Sequence, residues 1–438
     1  MGGRLASESA LGQDFGLWGA SLLVRGEGQS HPWHTDMETH LGDGFGSLWI
    51  GIHNTSKDTS LKFVPGSHRF GRTVQEARAL RQMPRDAVLD EDILEMAREH
   101  EPSPMIEQPA CQDGDGVLFD GRIWHGSHNA ASGGPRVALL LQYAKSTQPV
   151  RTVDFSSLDW PIRVLERRIP AIPVAGLMDA RINDVVAPPL NYLGELRFLA
   201  RQLSLPLALR ESGWQPHAIL QGSTANLRAL ACHASVLAPG KSPHPPHHHL
   251  EEEVLIVIGG EAELVLPAGG GDQSPRRERL RRGDFAYYPA YRWHTLVNVG
   301  TGPLSYLMFK WAGPLVASTE PNPPSLPTVV HRLAAPSVPT KGFFASLLLE
   351  GQTSFLRRLH AHATMLQPSA GYDQHADAHD VAIIVLHGRV SVNGQQAGPG
   401  GFFFCPAGIE HDMRNVGAEV ARYLVFEFLG PEGNLRPT

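Results

Sequence analysis

The sequence predicts a mostly β protein made of three successive β regions with short helical excursions, and three observations carry that reading. The 438 residues include 45 glycines and 35 prolines, a turn-rich balance that suits strands better than helical bundles. Short apolar runs bounded by Gly, Asn, Asp or Pro recur along the chain, which is the pattern of strands. The 22 histidines suit β domains that carry metal ligands. The length allows two to four domains, each with its own core.

The first β region spans residues 15–150. "ASLLVRG", "SLWIGIHN", "GVLFDG" and "RVALLLQYA" are its strands, and "TVQEARALRQMPRDAVLDEDILEMAREHE" has the composition of a helical excursion. Over 191–215 the chain is expected to be a helical connector, because Leu193, Leu196, Ala200 and Leu203 recur at helical spacing. A second β region covers 216–315. The prolines of "GPLVASTEPNPPSLPTVV" cannot join a central sheet and mark a linker over 316–339. The third β region covers 340–438.

Charge and cysteines limit the function classes. A formal charge of −6 with both signs intermixed offers no basic face, so nucleic acid is not an expected partner. Cys111, Cys232 and Cys405 lie far apart with no CxxC pair, which argues against a disulfide framework or zinc ribbon and fits a reducing cytoplasm. The N-terminus lacks a basic region followed by an apolar run, and no stretch is long enough to span a bilayer. A soluble protein with no membrane partner is expected; a homo-oligomer is compatible with it.

The stretch "HPWHTDMETH" packs three histidines and two carboxylates into ten residues. In an extended strand His34, Asp36, Glu38 and His40 could share one face, and alternation alone does not choose among them. A non-haem iron(II) centre with two imidazoles and one carboxylate leaves positions open for co-substrate and O2. His34 and Asp36 could supply two of these ligands. His125, at a strand end before a polar turn, is the candidate for the third. On the returning strand Arg136, Ala138, Leu140 and Gln142 share a face, and a guanidinium fork at Arg136 would hold the far carboxylate of a dicarboxylic co-substrate.

"WHTDM", "FVPGSHRFG" and "GDGVLFDGRIWHGSHNAASGGPR", in that order, resemble the phytanoyl-CoA dioxygenase family of iron(II)- and 2-oxoglutarate-dependent oxygenases. The resemblance places the catalytic metal triad on His34, Asp36 and His125, leaving His31, Glu38 and His40 at the entrance or facing solvent. It places the co-substrate site on Arg136, with Ser127 and the active-site tryptophan Trp49 nearby. It implies Fe(II) and 2-oxoglutarate as cofactor and co-substrate. Halogenating relatives lack the carboxylate, so Asp36 favours hydroxylation or desaturation of a small-molecule substrate. Family members carry a longer segment before the HxD strand than the 33 residues found here, which leaves three readings open: a sheet edge covered by the other domains or a second subunit, a start placed too late, or a domain that has lost part of its substrate pocket.

The second β region resembles the two motifs of the cupin superfamily. "PGKSPHPPHHHLEEEVLIVIGGEAELVLP" gives His247, His249 and Glu253, and "GDFAYYPAYRWHTLVN" gives His294. Together they make a set of three histidines and one glutamate for a second divalent metal. The third region repeats the pattern. "GGFFFCPAGIEHDMRN" keeps His411, while "GYDQHADAHDVAIIVLHGRVSV" keeps His375 but has Asp377 and Val381 where the second histidine and the glutamate are expected. Either His375, Asp377, His379 and His411 form a substitute metal site, or the barrel serves packing or ligand binding; the missing carboxylate favours the latter.

The resemblances imply three double-stranded β-helix (jelly-roll/cupin) barrels. An oxygenase domain over 1–190 is followed by the connector, a first cupin at 216–315, the linker and a second cupin at 340–438, the two cupins forming a tandem duplication. Two alternatives stand beside the oxygenase: a bicupin enzyme, such as a dioxygenase or a sugar- or acid-modifying enzyme, with a degenerate N-terminal domain, and a non-enzymatic cupin module for sensing or assembly.

Overall fold

The structure, a computed structural model, describes residues 11–37, 43–130, 133–151, 162–187, 194–207, 209, 213–267, 275–316, 325–334 and 342–431. Glu38, His40 and Leu193 lie outside the described residues. The chain is mostly β and forms two compact units: Met1–Asp154 with Arg167–Pro188, and Phe155–Glu166 with Pro189–Thr438. This division differs from a single boundary at residue 190, because the chain leaves the first unit and returns to it. None of the described helices is long and apolar enough to cross a membrane.

In the first unit the strands are β1 (Phe15–Arg25), β2 (Ser30–His34), β3 (Phe45–His53), β4 (Leu61–Val64), β5 (Gly116–Asp120), β6 (Trp124–His128) and β7 (Arg136–Lys145). Strand β8 (Ile162–Val164) departs to the other unit, and β9 (Pro170–Ala175) and β10 (Asp184–Val185) complete the set. They form a sheet in the order β10-β9-β1-β7-β3-β5 and a smaller sheet β2-β6-β4. Alternation explains how the two meet. Trp49, Phe119 and Ala138 project from the large sheet and Leu61 and Phe63 from the small one into a shared core.

The helical excursion is real but short. Helix α1 (Val74–Leu80) begins at a capping box of Thr73 and Glu76, and α2 covers Asp90–Ala97. Val74, Ala77, Ile93 and Met96 bury their apolar stripe against Trp33 and Trp124, which seats β2 and β6, the strands that present the candidate metal ligands.

The second unit is a duplication that can be read residue by residue. Its first repeat contains β12 (Trp214–Gly222), β13 (Ala229–Leu237), β14 (Glu252–Gly259), β15 (Glu261–Leu266), β16 (Arg276–Arg281), β17 (Phe285–Tyr288), β18 (Thr295–Asn298) and β19 (Leu304–Ala312). After β20 (Val329–His331), the second contains β21 (Phe343–Gly351), β22 (Arg358–Leu366), β23 (Gly371–His375), β24 (Asp380–His387), β25 (Val390–Val392), β26 (Gln395–Ala397), β27 (Gly401–Cys405), β28 (His411–Asn415) and β29 (Ala421–Leu429). In β14 Glu253 pairs with Tyr288 and Lys310; in β24 Val381 pairs with Cys405 and Glu427. Each repeat folds a large sheet over a small one around an interior of its own. A larger core containing Phe309, Trp311, Phe426 and Phe428 joins the outer faces of the two large sheets.

The expected helical connector is corrected by this unit. Residues Leu199–Leu203 form a strand, β11, which is hydrogen-bonded to β27 on one side and to β8 on the other. Phe198 and Ala200 face the interior of the second repeat, while Leu199 and Leu203 face the core between repeats. Ladder bonds on both edges and burial on both faces outweigh a helical spacing of leucines, since propensity is a weak prior. The expected linker likewise contains a strand, because β20 pairs with β17 of the first repeat. The two additions correspond: Phe285 pairs with His331 and Phe402 with Arg201. Each repeat is thus preceded by a strand that completes the large sheet of the other.

Buried carboxylates repeat that exchange. Ser354 of the second repeat donates its backbone N–H to Glu252 of the first at 2.8 Å, and Thr224 of the first donates its hydroxyl to Asp380 of the second at 2.6 Å. Both carboxylates are fully buried, and the opposite repeat adds a donor to those from their own, Trp311 for Glu252 and Ala407 for Asp380. Cys111, Cys232 and Cys405 are free and buried.

Candidate metal centres

His34 is the last residue of β2, and Asp36 follows beyond the strand end, so the expected continuous alternation through Asp36 is replaced by a turn away from the sheet. His125 pairs directly with His34 across β2 and β6. The result brings one ligand atom from each of His34, Asp36 and His125 to within 4.8 Å of the others. Asp36 Oδ1 lies 3.5 Å from His34 Nε2 and 3.7 Å from His125 Nε2. Each imidazole donates its Nδ1–H to the carbonyl two residues earlier, His34 to Pro32 at 2.8 Å and His125 to Ile123 at 2.9 Å. A carbonyl can only accept, so the lone pair is left on Nε2, aimed at the shared point. Ser47 donates to Asp36 Oδ2, leaving Oδ1 for an ion.

His31 is different. Its ring lies beside that of His34, tilted by 43° with centroids 4.5 Å apart, but its Nδ1 receives a hydrogen bond from the Arg25 guanidinium. Its proton therefore sits on Nε2, the wrong tautomer for ligation through that atom. This hydrogen bond separates His31 from the two ligand histidines, which the spacing in the sequence cannot do.

Electrostatics fit a cation. Burial and the neighbouring His34 push His125 down to about 4, which leaves it neutral and able to ligate near pH 7. Burial works to raise the Asp36 pKa, but the two imidazoles and the Ser47 hydroxyl outweigh it and hold the carboxyl well below its usual range.

Arg136 completes the cavity. It is 1% exposed, gives Nη1 to the Thr59 carbonyl at 2.9 Å and Nη2 to the Ser127 hydroxyl at 3.3 Å, and lies over the Trp49 ring at 5.5 Å. Burial and Arg25 lower its pKa to about 10, so it remains a cation at neutral pH. Among the described residues no carboxylate forms an ion pair with it, and its Nε is buried without a hydrogen-bond partner. His34, His125, Trp49, Ser127 and Arg136 all line one small pocket. A buried guanidinium with no anionic partner is costly, and an anion entering that cavity would offset the cost.

In the second unit the first repeat brings His247, His249 and His294 together. His247 and His249 precede β14 rather than lying on it, and an isolated bridge pairs His247 with His294. Glu253, on β14, is fully buried and sits 3.0 Å from His249 Nε2 and 3.1 Å from His294 Nε2. Its pKa would rise by burial, but His249, His294 and the Lys310 ammonium at 2.7 Å hold it well down. Burial with His244 and His294 keeps His247 near 4. The second repeat brings together His375, Asp377 and His411, with Asp377 Oδ2 3.6 Å from His375 Nε2 and 3.5 Å from His411 Nε2. The geometry of a substitute site is therefore present where the missing carboxylate had suggested a barrel without metal.

Residues 21–138 match the family model of phytanoyl-CoA dioxygenase (PhyH), and residues 234–310 match that of the cupin domain. The chain joins a PhyH domain to a cupin domain. Among solved structures it is similar to AerE from Microcystis aeruginosa, at 14% identity over 51% of this chain and 95% of that one with a TM-score of 0.37. It is also similar to the putative glyoxylate-induced protein from Pseudomonas aeruginosa, at 15% identity over 57% and 96% with a TM-score of 0.40. Lactobacillus farciminis oxalate decarboxylase is similar at 15% identity over 51% and 83% with a TM-score of 0.37. No curated protein matches the chain.

Within the PhyH domain the residues not foreseen were Ser47, which holds Asp36, Thr59, which holds Arg136, and Arg25, which engages His31. In the cupin domain the unforeseen residue is Lys310, which lies on Glu253 only because β14 pairs with β19. None of these sits in a motif of its own. The donor sets of both domains fit a divalent metal ion.

Proposed function

We propose that the PhyH domain is an iron(II)- and 2-oxoglutarate-dependent oxygenase that hydroxylates or desaturates a small organic molecule. The observation that carries this reading is the buried Arg136 without an acidic partner, in the same cavity as the imidazoles of the His34–Asp36–His125 triad. His34, Asp36 and His125 would hold the metal from one side. Iron(II) with 2-oxoglutarate supplies the power to oxidise an unactivated C–H bond with O2.

The protein's own contributions follow from its side chains. Arg136 and Ser127 bind the far carboxylate of the co-substrate, with Thr59 fixing the guanidinium plane. The Pro32 and Ile123 carbonyls keep both imidazoles in the ligating tautomer. Leu61, Phe119, Leu140 and Trp49 exclude water from the cavity, which keeps the oxidation directed at substrate. His31 and Ser127 also border a more open cleft lined by Lys62, Arg85, Asp90 and Glu91, the route by which a polar substrate would approach. In the cupin domain, His247, His249 and His294 with Glu253 would hold a second divalent ion.

The test is release of labelled CO2 from 2-oxoglutarate by the full chain supplied with iron(II) and pooled metabolites. The unaltered protein and a His247→Ala, His249→Ala variant are expected to turn over, and a His34→Ala, Asp36→Ala variant is not. Turnover that survives the second pair of changes and disappears with the first would move catalysis to the cupin domain.

A further inference from the structure

We infer that the second repeat holds a divalent transition-metal ion on His360, His362 and Glu427, with His379 as a fourth ligand. This inference does not rest on the oxygenase reading. Nor is it the cupin position, which in this repeat corresponds to His375, Asp377, Val381 and His411.

His360 and His362 lie two apart on β22, so both project into the same face. Glu427 lies directly opposite His360 on β29. One ligand atom from each of these three residues falls within 4.8 Å of the others: His360 Nε2 is 3.1 Å from His362 Nδ1, which is 3.8 Å from Glu427 Oε1. His379, just before β24, brings Nε2 to 3.2 Å from Glu427 Oε2 and 3.9 Å from Asp377 Oδ1, so it lies between this cluster and the His375–Asp377–His411 set and is nearer to this one. All four are largely buried, with side chains 15–19% exposed. His360 is oriented from behind, its Nδ1 lying 2.7 Å from Glu350 Oε2, the carboxylate–histidine arrangement that fixes the tautomer of a metal ligand and raises its basicity.

The first repeat is an internal control. At the positions of Glu350, His360 and Glu427 it has Gln221, Ala231 and Lys310, as the matching pairs Gln221–Ala231 and Ala231–Lys310 show against Glu350–His360 and His360–Glu427. Where the first repeat has a cupin glutamate, Glu253, faced by Lys310, the second has Val381 faced by Glu427. The carboxylate has in effect crossed to the neighbouring strand, and an imidazole with its own carboxylate support accompanies it. At this place the first repeat has Ala231 and Lys310, which supply neither an imidazole nor a carboxylate, so the site belongs to the second repeat alone. Arg358 competes for Glu427 at 3.1 Å through Oε2, the oxygen that also meets His379, but the arginine is 40% exposed and Oε1 faces His362. Imidazole nitrogens with one carboxylate oxygen suit zinc and its first-row neighbours.

The full chain, stripped with a chelator, is reloaded with zinc(II) and its bound metal measured by elemental analysis after desalting. His360→Ala and the nearly isosteric Glu427→Gln are each expected to bind about one zinc fewer per chain than the unaltered protein, and His360→Ala combined with His375→Ala about one fewer than His375→Ala alone. Zinc should raise the melting temperature of the His375→Ala protein and raise it less once His360 is also replaced. Near-ultraviolet circular dichroism checks packing, and Glu427→Gln carries the result if removal of the imidazole disturbs it. Zinc content equal to that of the unaltered protein in both single variants overturns the site. So does a double variant that loses no more zinc than His375→Ala alone, which would mean a single shared ion.

Discussion

Arg136 shows how much one residue's surroundings decide. Its guanidinium is fixed by a carbonyl and a hydroxyl, both neutral, so its charge is left for a ligand to balance. Arg136→Ala should therefore weaken 2-oxoglutarate binding by roughly 2–5 kcal/mol, the range for truncating one partner of a buried charge pair, while iron binding changes little. Anaerobic calorimetry with iron present measures both. An unchanged 2-oxoglutarate affinity would remove Arg136 from the co-substrate site. The same attention to single atoms separates His31 from His34: both are imidazoles in one ten-residue stretch, and only the direction of one Nδ1 hydrogen bond distinguishes spectator from ligand.

At the scale of elements, the exchange of strands and carboxylates between the repeats makes Asp380 a measurable contact. It starts β24 and accepts from Thr224 and from the Ala407 N–H, and burial pushes its pKa up to about 6. A carboxyl raised in the folded state keeps its proton there after the unfolded chain has lost it. The folded state then binds more protons between about pH 4 and 6, so stability falls as pH rises through that window and is level above it. The shift corresponds to roughly 3 kcal/mol. Because depressed carboxyls such as Asp36 act in the opposite sense, the effect is read as the difference between the unaltered protein and Asp380→Asn in urea denaturation at several pH values. That difference should shrink from pH 4 to pH 6 if the unaltered protein has the advantage at low pH. A difference independent of pH would show that Asp380 is ionised throughout.

For the whole molecule the question is whether the centres act separately. The PhyH triad and the first cupin set lie in different compact units, with ligands drawn from different sheets. His34→Ala and His247→Ala should each remove about one metal ion per chain, and their effects should add, as expected for sites sharing no ligand. Elemental analysis of the two variants and their combination decides it. Unchanged metal in His247→Ala would exclude the first cupin set as a site.

Much of this organisation was legible in the sequence because it is local. Strand alternation, the HxD pair, the downstream His125 and Arg136, and the paired cupin motifs each lie within a few residues of a turn, where spacing and side-chain direction are coupled. The strands at 199–203 and 329–331 were not legible, because their hydrogen-bond partners lie far along the chain and nothing local favours strand strongly enough to reveal them. The support of the ligands was hidden because tertiary structure supplies it: Ser47 reaches Asp36 from a strand of the other sheet, and Lys310 reaches Glu253 across paired strands. The cluster at His360, His362 and Glu427 shows both sides. The His-x-His alternation of "LHAHA" was there to be read, but the carboxylate that gives it chemical meaning comes from a strand more than sixty residues later, and sheet register alone places it opposite. Sequence sets which side chains share a face; pairing between distant strands decides which faces meet, because ladder hydrogen bonds and burial act between neighbours in space.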